Sequence, residues 1–245
     1  GPNLRLYRNS SSPADGDVAS QIDFEGRNDN SQDVVYGFIK SITQDVSDGT
    51  EDGKLEINTM VAGSTVRRIS ISSADTETVI NDDGIDLDFR VESDDNANML
   101  FVDGGADKVI IGHNASVNAA DVAPQLQVHG TGSATSSISA TRNSNDTGGP
   151  YLILSKSRGT SRGAVTIVQD DDILGQIMFA GADGGDLNPY GASIQGFVDG
   201  TPGTNDMPGR LVFSTTSDGN AAATERFRIS ADGSLSSPTL GTSNV

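Results

Sequence analysis

The feature that most constrains this sequence is a block of short apolar runs that occurs twice. Residues 173–236 hold four runs rich in β-branched and aromatic residues, separated by clusters of Gly, Pro, Asp and Asn, which is the pattern of strands joined by turns. The runs QIMFAG, YGASI, GRLVFST and RFRIS of this block match, in order, the earlier runs QIDFEG, YGFI, GKLEINT and RISIS. The offset between the copies drifts only from 155 to 158 residues. The sequence therefore predicts one small β unit that is used twice.

The remaining segments extend this prediction to an all-β chain, because no stretch of 11 or more residues shows helical periodicity. Residues 82–112 hold three short apolar runs spaced by roughly ten residues, a texture that favours a β-prism or triple-β-helix connector. Alternation also predicts a strand at Leu4–Arg8, and the apolar runs Tyr151–Leu154 and Ala164–Val168 are strand-like and lead into the second copy. Asn118–Pro124 is predicted to make one helical turn with Asn118 as its cap. We thus predict two homologous small β-sandwich-like units joined by this connector.

The predicted organisation divides the chain into five parts. Residues 1–2 read as the scar of a cleaved purification tag, and 3–80 form the first β unit. Residues 81–148 form the β connector and linker, 149–236 the second β unit, and 237–245 the truncated start of a next segment. Because Val245 ends the chain in mid-pattern, we expect a fragment of a longer polypeptide.

Composition excludes several classes of partner. The net charge is −18 and the 16 Lys and Arg residues are scattered, whereas phosphate contacts need clustered cations, so we expect neither nucleic acid nor an anionic membrane surface as partner. No apolar run approaches the roughly 18 residues of a spanning helix, so membrane insertion is not expected. The chain has no cysteine, which excludes disulfides and thiolate metal sites and suits assembly in a reducing cytoplasm.

The predicted units have thin cores. Apolar residues make up 34% of the chain and Trp is absent, against a usual apolar share of about 45–50% that also counts Gly. A unit of about 70 residues buries limited surface by itself. We therefore expect neighbouring chains to supply part of the burial.

Several stretches resemble shaft sequences of bacteriophage tail fibres. They are DGTPGTNDMPGRLVFSTTSDG at 199–219, TERFRISADG at 224–233, and shorter pieces at 86–94, 99–105 and 149–160. The resemblance is to long fibres of marine phages, of the cyanophage type, which often end in an intramolecular chaperone. It implies a fibrous, parallel homotrimer that presents a receptor-binding tip to the host surface. It further implies a virion tail component, assembled with other fibre segments and virion proteins in the host cytoplasm and extracellular after release.

Two other functions stay open at this point. The units could be glycan-binding modules for host surface polysaccharide, with Tyr36 and Tyr190 as contacts, since each is followed by Gly at corresponding places in the two copies. The alternative is that these tyrosines pack at the unit edges and expose only the hydroxyl to solvent. A bacterial surface adhesin of similar architecture is the third hypothesis. We also predict that Arg68 and Arg226 are structural and pair with carboxylates across strands or subunits.

The sequence offers little chemistry. Residues 159–163 fit a G-x-S-x-G string, but a strand-like run follows where a nucleophile elbow needs a helix. His113 and His129 lie too far apart for an H-x-x-x-H zinc pair, so we predict no catalytic residue, no metal-ligand set and no enzyme activity. Calcium at acidic turns is the alternative to a chain without cofactors, because these turns offer only oxygen ligands. The turns contain Asp82, Asp83, Asp86, Asp88, Asp94, Asp95, Asp170, Asp171 and Asp172.

Overall fold

A computed structural model describes residues 1–238 of the chain. The prediction of an all-β chain is confirmed, since the described residues form fourteen strands and no helix. The predicted segment 237–245 lies outside the described residues from position 239 onward. The chain divides into two compact units, residues 1–111 and residues 112 onward.

The first unit contains a five-stranded antiparallel meander, in which each strand pairs with the next one along the chain. Its strands are β1 (Val18–Arg27), β2 (Asp33–Asp45), β3 (Asp52–Val61), β4 (Ser64–Ser72) and β5 (Glu77–Ile80). Three shorter strands follow in the same unit and also pair antiparallel in chain order. They are β6 (Phe89–Val91), β7 (Leu100–Asp103) and β8 (Lys108–Ile111).

The second unit contains a short strand and a second five-stranded meander with the same sequential order. Its strands are β9 (Leu126–Val128), β10 (Ile173–Ala180), β11 (Tyr190–Val198), β12 (Gly209–Thr215), β13 (Thr224–Ile229) and β14 (Leu235–Ser236). The four apolar runs that the sequence places between 173 and 236 are therefore strands, as expected.

The three short runs predicted between the copies are also strands. Phe101 of β7 stands opposite Ile110 of β8, and both side chains are buried. This antiparallel pair makes a small core of its own, because two apolar side chains opposite each other on one face shield each other from water.

The two meanders share three irregularities. In the first, the register shifts at Val18–Ser20 and Phe24–Glu25 of β1. In the second, it shifts at Ile173–Gly175 and Phe179–Ala180 of β10. A further shift follows Ile57 in β3 and Phe213 in β12. Each bulge re-aims the chain by inserting one residue, so the two sheets bend at matching points.

An arginine occupies the bulge between the third and fourth strands of each meander. Arg68 donates from Nε to Oγ1 of Thr59 at 2.5 Å, and Arg226 donates from Nε to Oγ1 of Thr215 at 2.9 Å. Arg226 also donates to Oγ of Ser217 at 2.6 Å. The prediction that these arginines pair with carboxylates across strands is wrong, because the bulge aims each guanidinium at a hydroxyl on the neighbouring strand.

Three of the predicted strands are not formed. Leu4–Arg8, Tyr151–Leu154 and Ala164–Val168 have strand-like composition but pair with no strand of the described chain. The predicted helical turn at Asn118–Pro124 is wrong as well, since Ala119 instead forms an isolated antiparallel bridge with Val122. Alternation describes which side chains would be buried, whereas a strand also needs a partner for its backbone.

The bulge arginines yield a stability prediction. We expect Arg226→Ala to lower the free energy of unfolding by about 1 kcal/mol, the usual net value of one hydrogen bond, measured by urea unfolding at fixed chain concentration. In a double-mutant cycle with Thr215→Val, the second substitution should add little once the first is made. Arg162→Ala, at an exposed loop position, is the control. Wild-type unfolding of Arg226→Ala would contradict a structural role.

Candidate assembly surface

One face of the first meander carries a row of isoleucines that crosses all five strands. The register places one residue from each strand side by side: Ile22, Ile39, Ile57, Ile69 and Ile80. None of the five is buried, and the two at the sheet edges are 39% and 43% exposed. Apolar side chains in register across strands are the usual core of a sheet packed against a second layer. The described part of the chain supplies no such layer here.

The second meander has the corresponding row on its corresponding face. Ile177, Ile194, Phe213 and Phe227 stand side by side on its first four strands. The two phenylalanine rings touch, with centroids 5.8 Å apart, yet none of the four residues is buried. We call this face of each meander its apolar face.

The opposite face of the first meander is polar and is the better buried of the two. Side chains of consecutive strand residues point to opposite faces. Ser70, on the polar face, is 2% exposed, whereas its neighbour Ile71, on the apolar face, is 44% exposed. Glu56, Asn58 and Ser72 are buried on this polar face as well. Polar residues are normally the exposed ones. In this sheet the polar residues at the centre of one face are buried, whereas the isoleucines of the opposite face are not.

Glu56 is buried because three cations surround it. Lys40 lies 2.9 Å, Arg67 3.1 Å and Lys54 3.4 Å from its carboxylate oxygens, and Arg67 also pairs with Asp82. Burial raises the pKa of the Glu56 carboxyl, but the hydrogen bond and charge of Lys40, joined by the charge of Arg67, outweigh it and hold the pKa below its usual range. A buried charge is tolerated when it is paired in this way.

The second meander fills the same position differently. Val212, which pairs with Gln195 and Arg228 across the sheet, is buried where the first meander has Glu56. Ser193 and Ser214 are buried beside it. Both sheets thus shield the centre of one face within the chain, by ion pairs in the first and by an apolar side chain in the second, and neither buries the apolar row on its other face.

The two candidate glycan contacts do not occupy equivalent positions. Tyr36 is the inserted residue of the bulge opposite Phe24 and Glu25, where it is 47% exposed and its ring lies over Gly26. Tyr190 pairs directly with Ala180 and is half-buried. The sequence match aligned the two residues, whereas the strand pairing sets them one position apart.

Several aspartates of the acidic turns accept hydrogen bonds from donors of the chain itself. Asp170 accepts the amides of Asp171 and Gly200, at 3.1 and 2.8 Å. Asp171 pairs with Arg210 at 2.7 Å, and Asp88 accepts the amide of Gly104. Residues 1–238 bring no three His, Cys, Asp or Glu residues together as a metal-ligand set.

The histidines are the pair that sequence reasoning missed. The rings of His113 and His129 touch edge to face, with centroids 5.5 Å apart. His129 also shares a hydrogen bond with the buried Gln127 at 2.9 Å. The backbone approaches closely there, because a Cβ on Gly112 would lie 2.1 Å from the carbonyl oxygen of His129. A separation of sixteen residues carries no signal of this contact.

Comparison with protein-family models gave no match, and comparison with curated proteins gave none. Two solved structures are similar to the chain. The carboxy-terminal domain of the bacteriophage T5 L-shaped tail fibre is 12% identical, with a TM-score of 0.47 over 100% of this chain and 89% of that one. The same domain with its intra-molecular chaperone domain gives the same identity and TM-score, and the chain spans 61% of its length.

No helix among the described residues is both long enough and apolar enough to cross a membrane.

An ion pair anchors the segment before the first strand of each meander. Asp172 receives both Nε and Nη2 of Arg158, at 2.6 and 2.8 Å, and the amide of Gln169 at 2.9 Å. Asp17, which precedes β1 at the matching position, pairs with Arg8 at 3.1 Å. The Arg158 hydrogen bonds, with the Gln169 amide, lower the pKa of Asp172 from 3.8 to about 2.

This lowered pKa predicts how stability depends on pH. A carboxyl whose pKa is lower in the folded chain contributes stability that is full above its unfolded pKa and is lost as pH falls towards its folded pKa. We therefore expect Asp172→Asn to melt below the wild type at pH 6, and the gap to close between about pH 4 and 2. Thermal melts across this range test it, with Asp218→Asn as the exposed control. A gap that is independent of pH would contradict the prediction.

Proposed function

We propose that the chain is a structural segment of a phage tail fibre shaft, which assembles as a parallel homotrimer and carries a receptor-binding tip to the host surface. The fibre would be of the kind found in marine phages, often followed by a C-terminal intramolecular chaperone. The role is mechanical and includes neither a catalytic step nor a cofactor.

The observation that carries this proposal is the open isoleucine row. Burying an isoleucine side chain contributes about 1.5–3 kcal/mol relative to leaving it in water. Burial of the five isoleucines would therefore stabilise the protein strongly, and a single chain does not complete it. Apolar patches of this kind mark surfaces that associate. The row lacks charged residues, although the chain as a whole carries a net charge of −18. A docked surface must therefore be apolar too.

A second copy of the same chain satisfies that requirement. Every copy carries two apolar faces, one on each meander. Symmetric self-association is the commonest solution for such surfaces. The tail-fibre resemblance of residues 199–219 and 224–233 favours three copies in parallel.

The repeated unit explains how a shaft is built. Matching strand order, matching bulges and the two Arg–Thr hydrogen bonds support the inference that both meanders are copies of one building block. Such repeats stack along an axis, and each contacts mainly its neighbours. In a trimer this gives a stiff rod in which exposed apolar area is removed at every level. Its partners would be other fibre segments and virion proteins, in the virion tail.

The proposal predicts the mass in solution. Light scattering should give about three times the 25.4 kDa of one chain, and the value should persist on dilution to low micromolar concentration. A folded single chain at that concentration would refute the shaft function.

The apolar face can be tested with neighbouring residues that point to opposite sides of one strand. We expect Ile22→Glu, on the apolar face, to abolish the trimer, because a buried unpaired carboxylate adds its desolvation cost to the lost burial. Gln21→Glu, on the polar face, should keep the wild-type mass.

The second meander offers the same matched pair, Ile177→Glu against Gln176→Glu. All four variants should be compared by light scattering at one concentration. Equal masses for the isoleucine and glutamine variants would show that the apolar faces do not hold the assembly together.

A further inference from the structure

Each meander is preceded by an apolar segment that the described chain leaves uncovered. We call Tyr151–Arg158 the arm of the second unit and Leu4–Arg8 the arm of the first. Leu152 is 81% and Ile153 76% exposed, and in the first arm Leu4 is 81% exposed. Both arms contain Leu-x-Leu, at Leu4–Leu6 and Leu152–Leu154. The same uncovered element therefore stands at the same place in both units.

The arms are not loose ends, because each is fixed at its C-terminal side. Arg158 binds Asp172 with two hydrogen bonds, and Arg8 pairs with Asp17 and donates to the carbonyl of Val18 at 3.1 Å. The two aspartates also accept equivalent amides, from Gln169 at 2.9 Å and Ala14 at 3.0 Å. The anchor sets where each arm leaves its sheet.

The second arm already touches the apolar face at its last apolar residue. Leu154 lies directly over Gly175 of β10, since a Cβ on that glycine would be 2.5 Å from the Cβ of Leu154. Gly175 is on the apolar face, two residues before Ile177, and stands opposite Gly196 of β11. Leu154 occupies the space that the missing side chain of Gly175 leaves on this face. The three apolar residues before it then continue away from the face into solvent.

We propose that the arm of each copy continues onto the apolar face of a neighbouring copy, so that the trimer is held together by exchanged arms. The occupant is residues 151–153 of a second copy of this chain, and the surface is the row of Ile177, Ile194, Phe213 and Phe227. The inference rests on the proposed trimer. Residues 151–153 and the four residues of this row carry no charge and none of them is buried, and the contact of Leu154 with Gly175 shows that the arm fits the face.

Exchange also accounts for the missing strands. Tyr151–Leu154 has the composition of a strand but no partner in its own described chain. A segment of this kind is ordered when another chain supplies the contacts. Exchange of identical elements between copies needs no additional partner, because every copy carries both the arm and the face that binds it.

Cysteine pairs test the exchange directly, since the chain has no cysteine of its own. In the double variant Leu152→Cys/Ile177→Cys, oxidation should link different copies, giving a product of two to three chain masses under denaturing, non-reducing conditions. A product that stays at one chain mass overturns the exchange.

A matched pair of charge variants provides a second readout. Leu152 and Ile138 are both 81% exposed within one chain and lie in the same unit. We expect Leu152→Glu to lower the melting temperature of the assembled protein by at least about 4 °C, and Ile138→Glu to leave it unchanged. Equal melting of the two variants counts against the exchange.

The outcomes separate this inference from the function it rests on. A wild-type mass of three chains with only single-chain disulfide products refutes the exchanged arm and leaves the shaft trimer standing. A wild-type mass of one chain refutes both.

Discussion

The structure depends on one constraint: a five-stranded single layer has two faces, and the described chain leaves the apolar row on one of them without burial. On the first meander the covered face is the polar one, where Glu56 is 3% exposed. The apolar face, with its row of isoleucines, has no cover in the described chain. A sheet gains most of its stability from the apolar side chains that it removes from water. This sheet is therefore incomplete as a single chain, however regular its hydrogen bonding.

The polar face explains why the sheets can exist before they associate. In the first meander Lys40, Lys54 and Arg67 surround Glu56, so the centre of that face is both charged and satisfied. In the second, Val212 takes the same place. An ion-pair cluster specifies which groups must meet, whereas a valine mainly excludes water. The two units thus keep one backbone plan with different chemistry on this face and the same apolar chemistry on the other.

Sequence patterns predicted the strands better than they predicted contacts. The repeated runs gave both meanders, because period-2 alternation reports directly on the two faces of a sheet. The partners of Arg68 and Arg226 were predicted wrongly, because a bulge inserts a residue and re-aims the side chain, and no residue type marks it. The same cause separates Tyr36 from Tyr190, since both copies bulge there but the inserted residue is Tyr36 in the first and Gly191 in the second. The contact of His113 with His129 depends on a close backbone approach at Gly112 that spacing cannot reveal.

Leu4–Arg8 and Tyr151–Leu154 show what alternation measures. Both stretches have strand-like composition, yet neither forms a strand within the described chain. Their apolar residues therefore indicate burial that a single chain does not provide. Their anchors support this interpretation. Arg8 reaches Asp17 from nine residues away and Arg158 reaches Asp172 from fourteen, so the intervening loop differs in length while the ion pair recurs. A feature that recurs across loops of different length is held by geometry rather than by connectivity. The ion pair sets the direction in which the apolar segment leaves its own sheet. Holding the segment in that direction stabilises the protein only if the segment meets another apolar surface there.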